Sequence, residues 1–458
     1  MTDLPSGWAI GFLPQMVGSG GVFSDGDWVE SKDQDPDGEV RLIQLADVGD
    51  GRYRDRSSRF LTLSKARDLG CTFLQTGDVL IARMPDPLGR ACIFPGDPKT
   101  SVTVVDVCVI RPGSGSVNPR WLMYALNAPQ SRSAMEALQK GTTRRRVSRG
   151  NLAVIPFPLP PTAEQERIVA AVEEEFSRLD AGVAALAQSR DCLAVLESAT
   201  LELLLTRGSD PGAVWKTREL SDLTAPGKSS IKAGPFGSAL KKSCYSSSGY
   251  KIYGQEQVIK GDARYGDYYI DSTKYAELAT CAVKAGDVLV SLVGSYGKCL
   301  VLPEDAEPGI INPRLVKITV DKTIIDPYFL QLVVQSPVAQ RYFEKRAYGQ
   351  TMGILNTKIL RSLPVPLPEL EQQHAVIVEW RALSESLLRL RQAIGAIGKR
   401  EQTLRSSILA SAFAGTLVPQ DPTDEPASAL LERITAERAS SNGHNPTRTR
   451  KPRTKVNA

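Results

Sequence analysis

Short apolar runs such as Val102-Thr-Val-Val-Asp-Val107 and Leu315-Val-Lys-Ile318 alternate with Gly- and Asp-rich turns through residues 1–155 and again through 209–363. Runs of that length between turn residues predict twisted β-structure. Two longer segments interrupt it. Asn118-Pro119 and Asp326-Pro327 each suit a cap followed by a first helical position, which predicts helices from Pro119 to Gln139 and from Pro327 to Arg346. Elsewhere the period changes. Ile168, Val172, Phe176, Leu179, Val183, Leu186, Leu193, Leu196 and Leu203 advance by 3, 4 or 7, as do Val376, Trp380, Leu383, Leu387, Leu390, Ile394, Ile397, Leu404 and Ile408. This is coiled-coil spacing. The first such helix, predicted over Thr162–Thr206 with Thr162 and Gln165 placed for a capping box, is about 65 Å long at 1.5 Å per residue.

The two stretches are copies. Ile155-Pro-Phe-Pro-Leu-Pro-Pro161 recurs as Leu363-Pro-Val-Pro-Leu-Pro-Glu369, and Pro156 to Pro364 is a shift of 208. Pro119 and Pro327, Pro129 and Pro337, Gly89 and Gly297, and Gly141 and Gly349 keep it. Gly77-Asp-Val-Leu80 matches 286–289 at 209, and Glu164-Gln165 matches Glu371-Gln372 at 207. Many ordered anchors at one shift mean duplication. The roughly three domains suggested by 458 residues become two modules plus helices.

A generic amphipathic helix packs on its own domain. Two equivalent rods with narrow seams are more simply satisfied by each other, and running antiparallel they relate the copies by an approximate two-fold axis. The expected fold is therefore α/β: two β-rich domains, residues 1–155 and 209–363, separated by two long spacer helices, 156–208 and 364–432, forming an antiparallel coiled coil with pseudo-two-fold symmetry. A basic, disordered tail, 433–458, closes the chain.

The net charge of +5 says little until the charges are mapped. Seven cysteines without a CxxC and only His374 and His444 leave no zinc-ligand spacing. The odd cysteine count and the lack of a basic-apolar leader before Trp8 predict a cytoplasmic protein, and no run is long enough to span a membrane.

Three places carry candidate binding chemistry. Lys140, Arg144, Arg145, Arg146 and Arg149 form a cation run without an acid. Guanidinium forks suit phosphate oxygens or guanine edges, although such a run is equally often a solvated surface. Its counterpart Gly349-Gln-Thr-Met-Gly353 is uncharged, as expected of two readers of different sequences. In the second copy, Lys232, Phe236, Ser238, Lys241, Lys242 and Tyr245 lie on a glycine turn that can approach a nucleic-acid backbone closely, or else bury Phe236 in an ordinary core. Arg264-Tyr265-Gly-Asp-Tyr268-Tyr269 reads as a contact cluster or as cross-strand packing. The tail cations Arg448, Arg450, Lys451, Arg453 and Lys455 add nonspecific attraction at most.

Catalytic signatures are missing. Gly18-Ser-Gly-Gly21 does not open a helix, no Asn/Asp-Pro-Pro-aromatic segment exists, and Gly294-Ser-Tyr-Gly-Lys298 lacks the spacing of a nucleotide-binding loop. Asp25, Asp27 and Glu30-Ser-Lys32 caricature a nuclease site without a counterpart in the second copy.

Over essentially its whole length the chain resembles the specificity subunit of a type I restriction-modification system. The resemblance lies in the Pro-x-Pro-Leu-Pro segments before Glu164-Gln165 and Glu371-Gln372, and in Ala412-Phe-Ala-Gly-Thr-Leu-Val-Pro-Gln-Asp-Pro-Thr-Asp-Glu-Pro-Ala-Ser-Ala-Leu-Leu-Glu432. It extends to Gly-Pro-Phe-Gly-Ser at 234–238, the Gly-Asp-Val-Leu turns, and Asp25-Gly-Asp-Trp28 with Arg41-Leu-Ile-Gln-Leu45. It implies two target recognition domains reading the halves of a bipartite site in double-stranded DNA, with the helices as ruler. It also implies two methyltransferase subunits carrying S-adenosylmethionine for adenine N6 methylation, and restriction subunits using ATP and Mg. The chain itself would then hold no cofactor or metal and catalyse nothing. The reading that competes is a noncatalytic scaffold whose β domains bind proteins. The first copy lacks Gly-Pro-Phe-Gly-Ser, and Met84-Pro-Asp-Pro87 replaces a simple glycine turn, so base contacts do not transfer between copies.

Overall fold

The computed structural model describes residues 4–141, 145–207, 215–227, 229–236, 239–294, 297–346 and 355–442. The chain forms two compact units, one of Met1–Ala184 with Ile397–Ala458 and one of Ala185–Ala396.

In the first unit an antiparallel sheet runs in the order Val22–Asp25, Val107–Arg111, Val79–Ala82, Ala91–Ile93. A second sheet joins Phe60–Leu61, Val40–Ile43 and Ser101–Thr103, the last two strands being parallel. Val79-Leu-Ile-Ala82 is apolar throughout because both faces are covered. Val79 and Ile81 pack in the cluster of Trp121 and Phe157, while Leu80 and Ala82 face Ile43 and Phe94.

The second unit repeats this frame. Its first sheet runs Ile231–Ala233, Leu315–Ile318, Val288–Ser291, Cys299–Val301, and its second Tyr269–Ile270, Tyr250–Tyr253, Gly309–Ile311, Ala282–Val283. Register is kept as well as order: Phe23 opposite Ile110 becomes Ile231 opposite Ile318, and Val79 opposite Ile110 becomes Val288 opposite Ile318.

The proline segments are strands rather than the starts of the spacer helices. Pro156–Leu159 pairs antiparallel with Ala9–Phe12, and Pro364–Leu367 with Lys216–Glu219. Prolines at alternate positions aim their donorless nitrogens away from the single partner strand, so an edge tolerates them. Phe157, Leu159 and Val365 between them are buried. The helices begin later, at Thr162 and Leu370. The capping box does not form: the Thr162 hydroxyl finds no partner among the described residues, and Gln165 is occupied elsewhere.

Each Asn/Asp-Pro helix is two helices, Pro119–Asn127 then Pro129–Ala137, and Pro327–Gln335 then Pro337–Glu344. Pro129 and Pro337 force Ala128 and Ser336 into extended backbone, and each proline starts a new helix at its first position.

The long helices are Thr162–Arg207 and Leu370–Phe413. In each unit they run antiparallel. Ile168 and Val172 share a core with Leu409, Ala412 and Phe413, and further on Asp180 pairs with Arg405. Leu201, Leu204 and Leu205 share a core with Val376 and Ile377, and Glu197 pairs with Arg391. Of the positions expected in the seam, Val183, Leu196, Leu203, Leu390, Ile397 and Leu404 are exposed, and beside Leu203 it is Leu201, Leu204 and Leu205 that are buried.

The second spacer helix does not extend to residue 432, and the tail does not begin at 433. After Phe413 the chain turns and forms Ala427–Asn442, whose Ala427, Leu430 and Ile434 are buried in the first unit's core. The Ala427 N–H donates to the Gly7 carbonyl (2.8 Å) and Arg438 donates to the carbonyls of Pro14 and Gly18. Apolar positions spaced for one helix face outweigh the polar composition that suggested disorder. The tail cations from Arg448 onward lie outside the described residues.

Candidate nucleic-acid interface

In the first unit Lys140 and Arg146 exchange both backbone hydrogen bonds, 2.9 and 3.0 Å, closing the neck of a hairpin. The Val147 N–H donates to the Arg83 carbonyl (3.0 Å), and its buried side chain pins the hairpin to the sheet. Lys140, Arg145 and Arg146 are exposed. Arg144, with Thr142 and Thr143, lies outside the described residues.

Arg149 is also exposed, but its guanidinium is engaged by neighbours of the same chain. It donates to the Phe23 carbonyl (2.9 Å), lies over the Phe23 ring and reaches Asp25 Oδ2 at 3.3 Å. The other oxygen of Asp25 meets the buried Arg83 at 2.7 Å. One carboxylate therefore ties the basic hairpin to the end of strand Val22–Asp25. Three residues on, Trp28 is exposed, its indole N–H donating to Glu30 (3.1 Å), which Lys32 neutralises at 2.6 Å.

The second unit builds its surface differently. Lys232 sits on strand Ile231–Ala233 directly opposite Lys317. Like charges facing across a ladder repel, and burial lowers the Lys317 ammonium from its usual value. Phe236 is not core: it is exposed, as are Lys241 and Lys242. Gly237 and Ser238 lie outside the described residues. Tyr245 packs against Tyr268 with centroids 5.4 Å apart, and burial raises its hydroxyl above the ordinary value. The flanking cluster divides. Tyr269 is a strand residue, Tyr265 lies under Lys260 (3.6 Å to the ring), and Arg264 pairs with Asp305.

At the entry to each long helix a glutamine holds the module. The Asn118 N–H donates to Gln165 Oε1 (2.9 Å), and Gln165 Nε2 donates to the Pro160 carbonyl (3.1 Å). In the second unit the Asp326 N–H donates to Gln373 (2.8 Å), which donates to Pro368 (2.9 Å). The equivalents are thus Gln165 and Gln373 at 208, which corrects the Glu371-Gln372 match at 207. Beside them lies the same cleft in both modules, lined by Gly77, Ile93, Phe94, Asn118 and Pro119 in one and by Gly286, Val301, Leu302, Asp326 and Pro327 in the other. Among the described residues no group of acidic, His and Cys side chains is arranged to hold a metal ion, and no helix is long and apolar enough to cross a membrane.

The family model of the type I restriction modification DNA specificity domain matches residues 24–181 and 215–380. The type I restriction enzyme EcoBI specificity subunit of Escherichia coli is 28% identical over 360 residues, 74% of this chain and 75% of that protein. The putative MjaX specificity subunit of Methanocaldococcus jannaschii is 21% identical over 377 residues, 80% and 86% of the two chains. Among solved structures, a chain from work on complex assembly and conformational transition of the type I R-M system superposes with a TM-score of 0.65 at 18% identity, covering 91% of this chain and all of that one. The HsdS subunit of Thermoanaerobacter tengcongensis gives 0.54 at 19% identity, over 90% and 98%.

Proposed function

Because the chain belongs to the type I restriction-modification DNA specificity family, and is a noncatalytic specificity subunit, we propose that its two modules read the two halves of an asymmetric, bipartite site in double-stranded DNA. The observation that carries this reading is one frame with two surfaces. Order and register of the first sheet coincide, while the first module offers Lys140, Arg145 and Arg146 on a hairpin and the second offers Lys232, Lys241 and Lys242 around a glycine turn. Unlike loops on like frames suit unlike half-sites, with cations on phosphates fixing register and other groups meeting bases.

The duplicated clefts, one in each module, are suited to two identical partners, which we take to be methyltransferase subunits positioned for adenine N6 methylation. Exposed apolar side chains on the long helices, Val195, Leu196, Val378 and Leu388 among them, give such partners further surface. S-adenosylmethionine then belongs to those partners, ATP and Mg to restriction subunits, and the long helices act as the ruler between half-sites.

Sequencing methylated adenines in cells that express the chain with its methyltransferase is expected to return one asymmetric, interrupted motif. Methylation without a motif, or a motif unchanged when the chain is omitted, rejects the proposal. Removing the heptad Ala184–Arg190, about 10 Å of helix, together with a matching heptad of the partner helix, should change the accepted spacing. Methylation at the original spacing rejects the ruler.

A further inference from the structure

Of the aromatic side chains among the described residues, the two most exposed are Phe236, 88% accessible, and Trp28, 64%. A lone exposed aromatic needs no explanation. These two need one, because they occupy the same position in the two modules, 208 residues apart. Each follows the first strand of its sheet, Val22–Asp25 or Ile231–Ala233, whose registers on Val107–Arg111 and Leu315–Ile318 coincide. Each lies two residues after a glycine that admits no side chain. A Cβ on Gly26 would stand 2.0 Å from the Val104 carbonyl oxygen, and one on Gly234 would stand 1.9 Å from that of Asn312, residues again 208 apart. Gly-Asp-Trp and Gly-Pro-Phe are therefore one structural element, although they share only the glycine in sequence.

Cations lie near both tips, at Trp28 in ion pairs: its indole donates to Glu30, which Lys32 neutralises. Trp28 is three residues beyond Asp25, the carboxylate that anchors Arg149 and with it the basic hairpin, so its backbone is within about 11 Å of that anchor. Phe236 lies between Lys232 and the exposed pair Lys241 and Lys242. An apolar ring projected from a backbone-pinned turn beside cations fits duplex DNA, where cations meet phosphates and rings meet base edges, thymine methyl groups or an opened base step.

We propose that Trp28 and Phe236 are equivalent base-contacting residues, each serving the half-site read by its own module. This rests on the DNA-reading function proposed above and adds which side chains read, and where. The test uses the complex with methyltransferase subunits, the site defined by methylation sequencing, and duplexes with one or the other half scrambled. Trp28→Ala should lower affinity for the intact site about tenfold or more, the scale of one mismatched base pair. It should cause no further loss on DNA whose corresponding half is already scrambled, and Phe236→Ala should behave the same way with respect to the other half. The dependence of affinity on salt should be unchanged, since no phosphate-binding group is removed. Trp28→Phe and Phe236→Trp should keep most of the affinity, which separates base reading from misfolding. Unchanged affinity for the intact site in both alanine variants, or equal losses whichever half is scrambled, overturns the inference while leaving the DNA-reading function standing. A wild-type complex that does not distinguish intact from scrambled DNA overturns the function itself.

Discussion

The first unit differs from the second less in its frame than in what lies against it. Both have the same order and register in the first sheet, a glutamine at the helix entry and a glycine-pinned aromatic, while the second sheet carries one strand more, Ala282–Val283, in the second unit. Only the first takes in residues 414–442, whose helix Ala427–Asn442 completes its core. The cores were constrained by strand pairing, where a one-residue slip turns every side chain to the wrong face. The loops and the segments added to the frame were not so constrained. Chemistry has diverged there.

The largest way to break the symmetry is to remove the added helix. Truncation before Ala427 should destabilise the first unit, and Leu430→Ala alone should cost about 2–5 kcal/mol. Hydrogen exchange should accelerate in Val107–Arg111 and stay slow in Val288–Ser291. Equal acceleration in both strands would mean that the helix supports more than its own unit.

The glycines sharpen the comparison from the other side. Gly26→Ala and Gly234→Ala meet the same carbonyl clash and should cost similar amounts, about 1–3 kcal/mol each. Denaturant unfolding measures both, and a strong inequality would break the equivalence of the two turns.

Charge comes next. Replacing Arg144, Arg145 and Arg146 together by Ala should weaken DNA binding and flatten its salt dependence, by about 0.9 in the log–log slope for each phosphate no longer neutralised. Lys241→Ala with Lys242→Ala should act likewise through the second module. An unchanged slope would mark either loop as solvated surface.

The smallest effect concerns Glu164, buried beside Trp8, whose indole donates to it at 2.9 Å. Burial raises its carboxyl above the ordinary value, with the Trp8 bond opposing. The folded state thus holds this proton more tightly than the unfolded one, so the stabilisation is present at pH below the unfolded value and is lost as pH rises through the folded one. Glu164→Gln, which puts in the first module the residue that the second carries as Gln372, retains an acceptor for Trp8. It should raise Tm slightly at neutral pH, with the gain vanishing on acidification. A gain that persists in acid would point to packing rather than charge.

Much of the frame is legible in the sequence because turns need particular residues. Gly77 and Gly286 at positive φ, Asn118 and Asp326 as caps, and the alternating prolines can be recognised without coordinates. The site is less so. Lys140, Arg145, Arg146, Arg149, Lys241 and Lys242 are exposed, but Arg149 is held by Asp25 because a carboxylate 124 residues away ends a neighbouring strand. Trp28 escapes a reading of the sequence because Gly-Asp-Trp and Gly-Pro-Phe share too little to align, although the shift of 208 applied to Gly26 leads to it.

The sequence by itself determined the duplication, the β-rich modules and the long helices, since these follow from spacing and local backbone preference. Only the tertiary structure decided that each unit takes half of both helices, that Ala427–Asn442 belongs to the first core, and that Phe236 and Trp28 face solvent at one shared position. Those facts depend on which surfaces meet across hundreds of residues, and an apolar residue in a sequence carries no record of the partner that covers it.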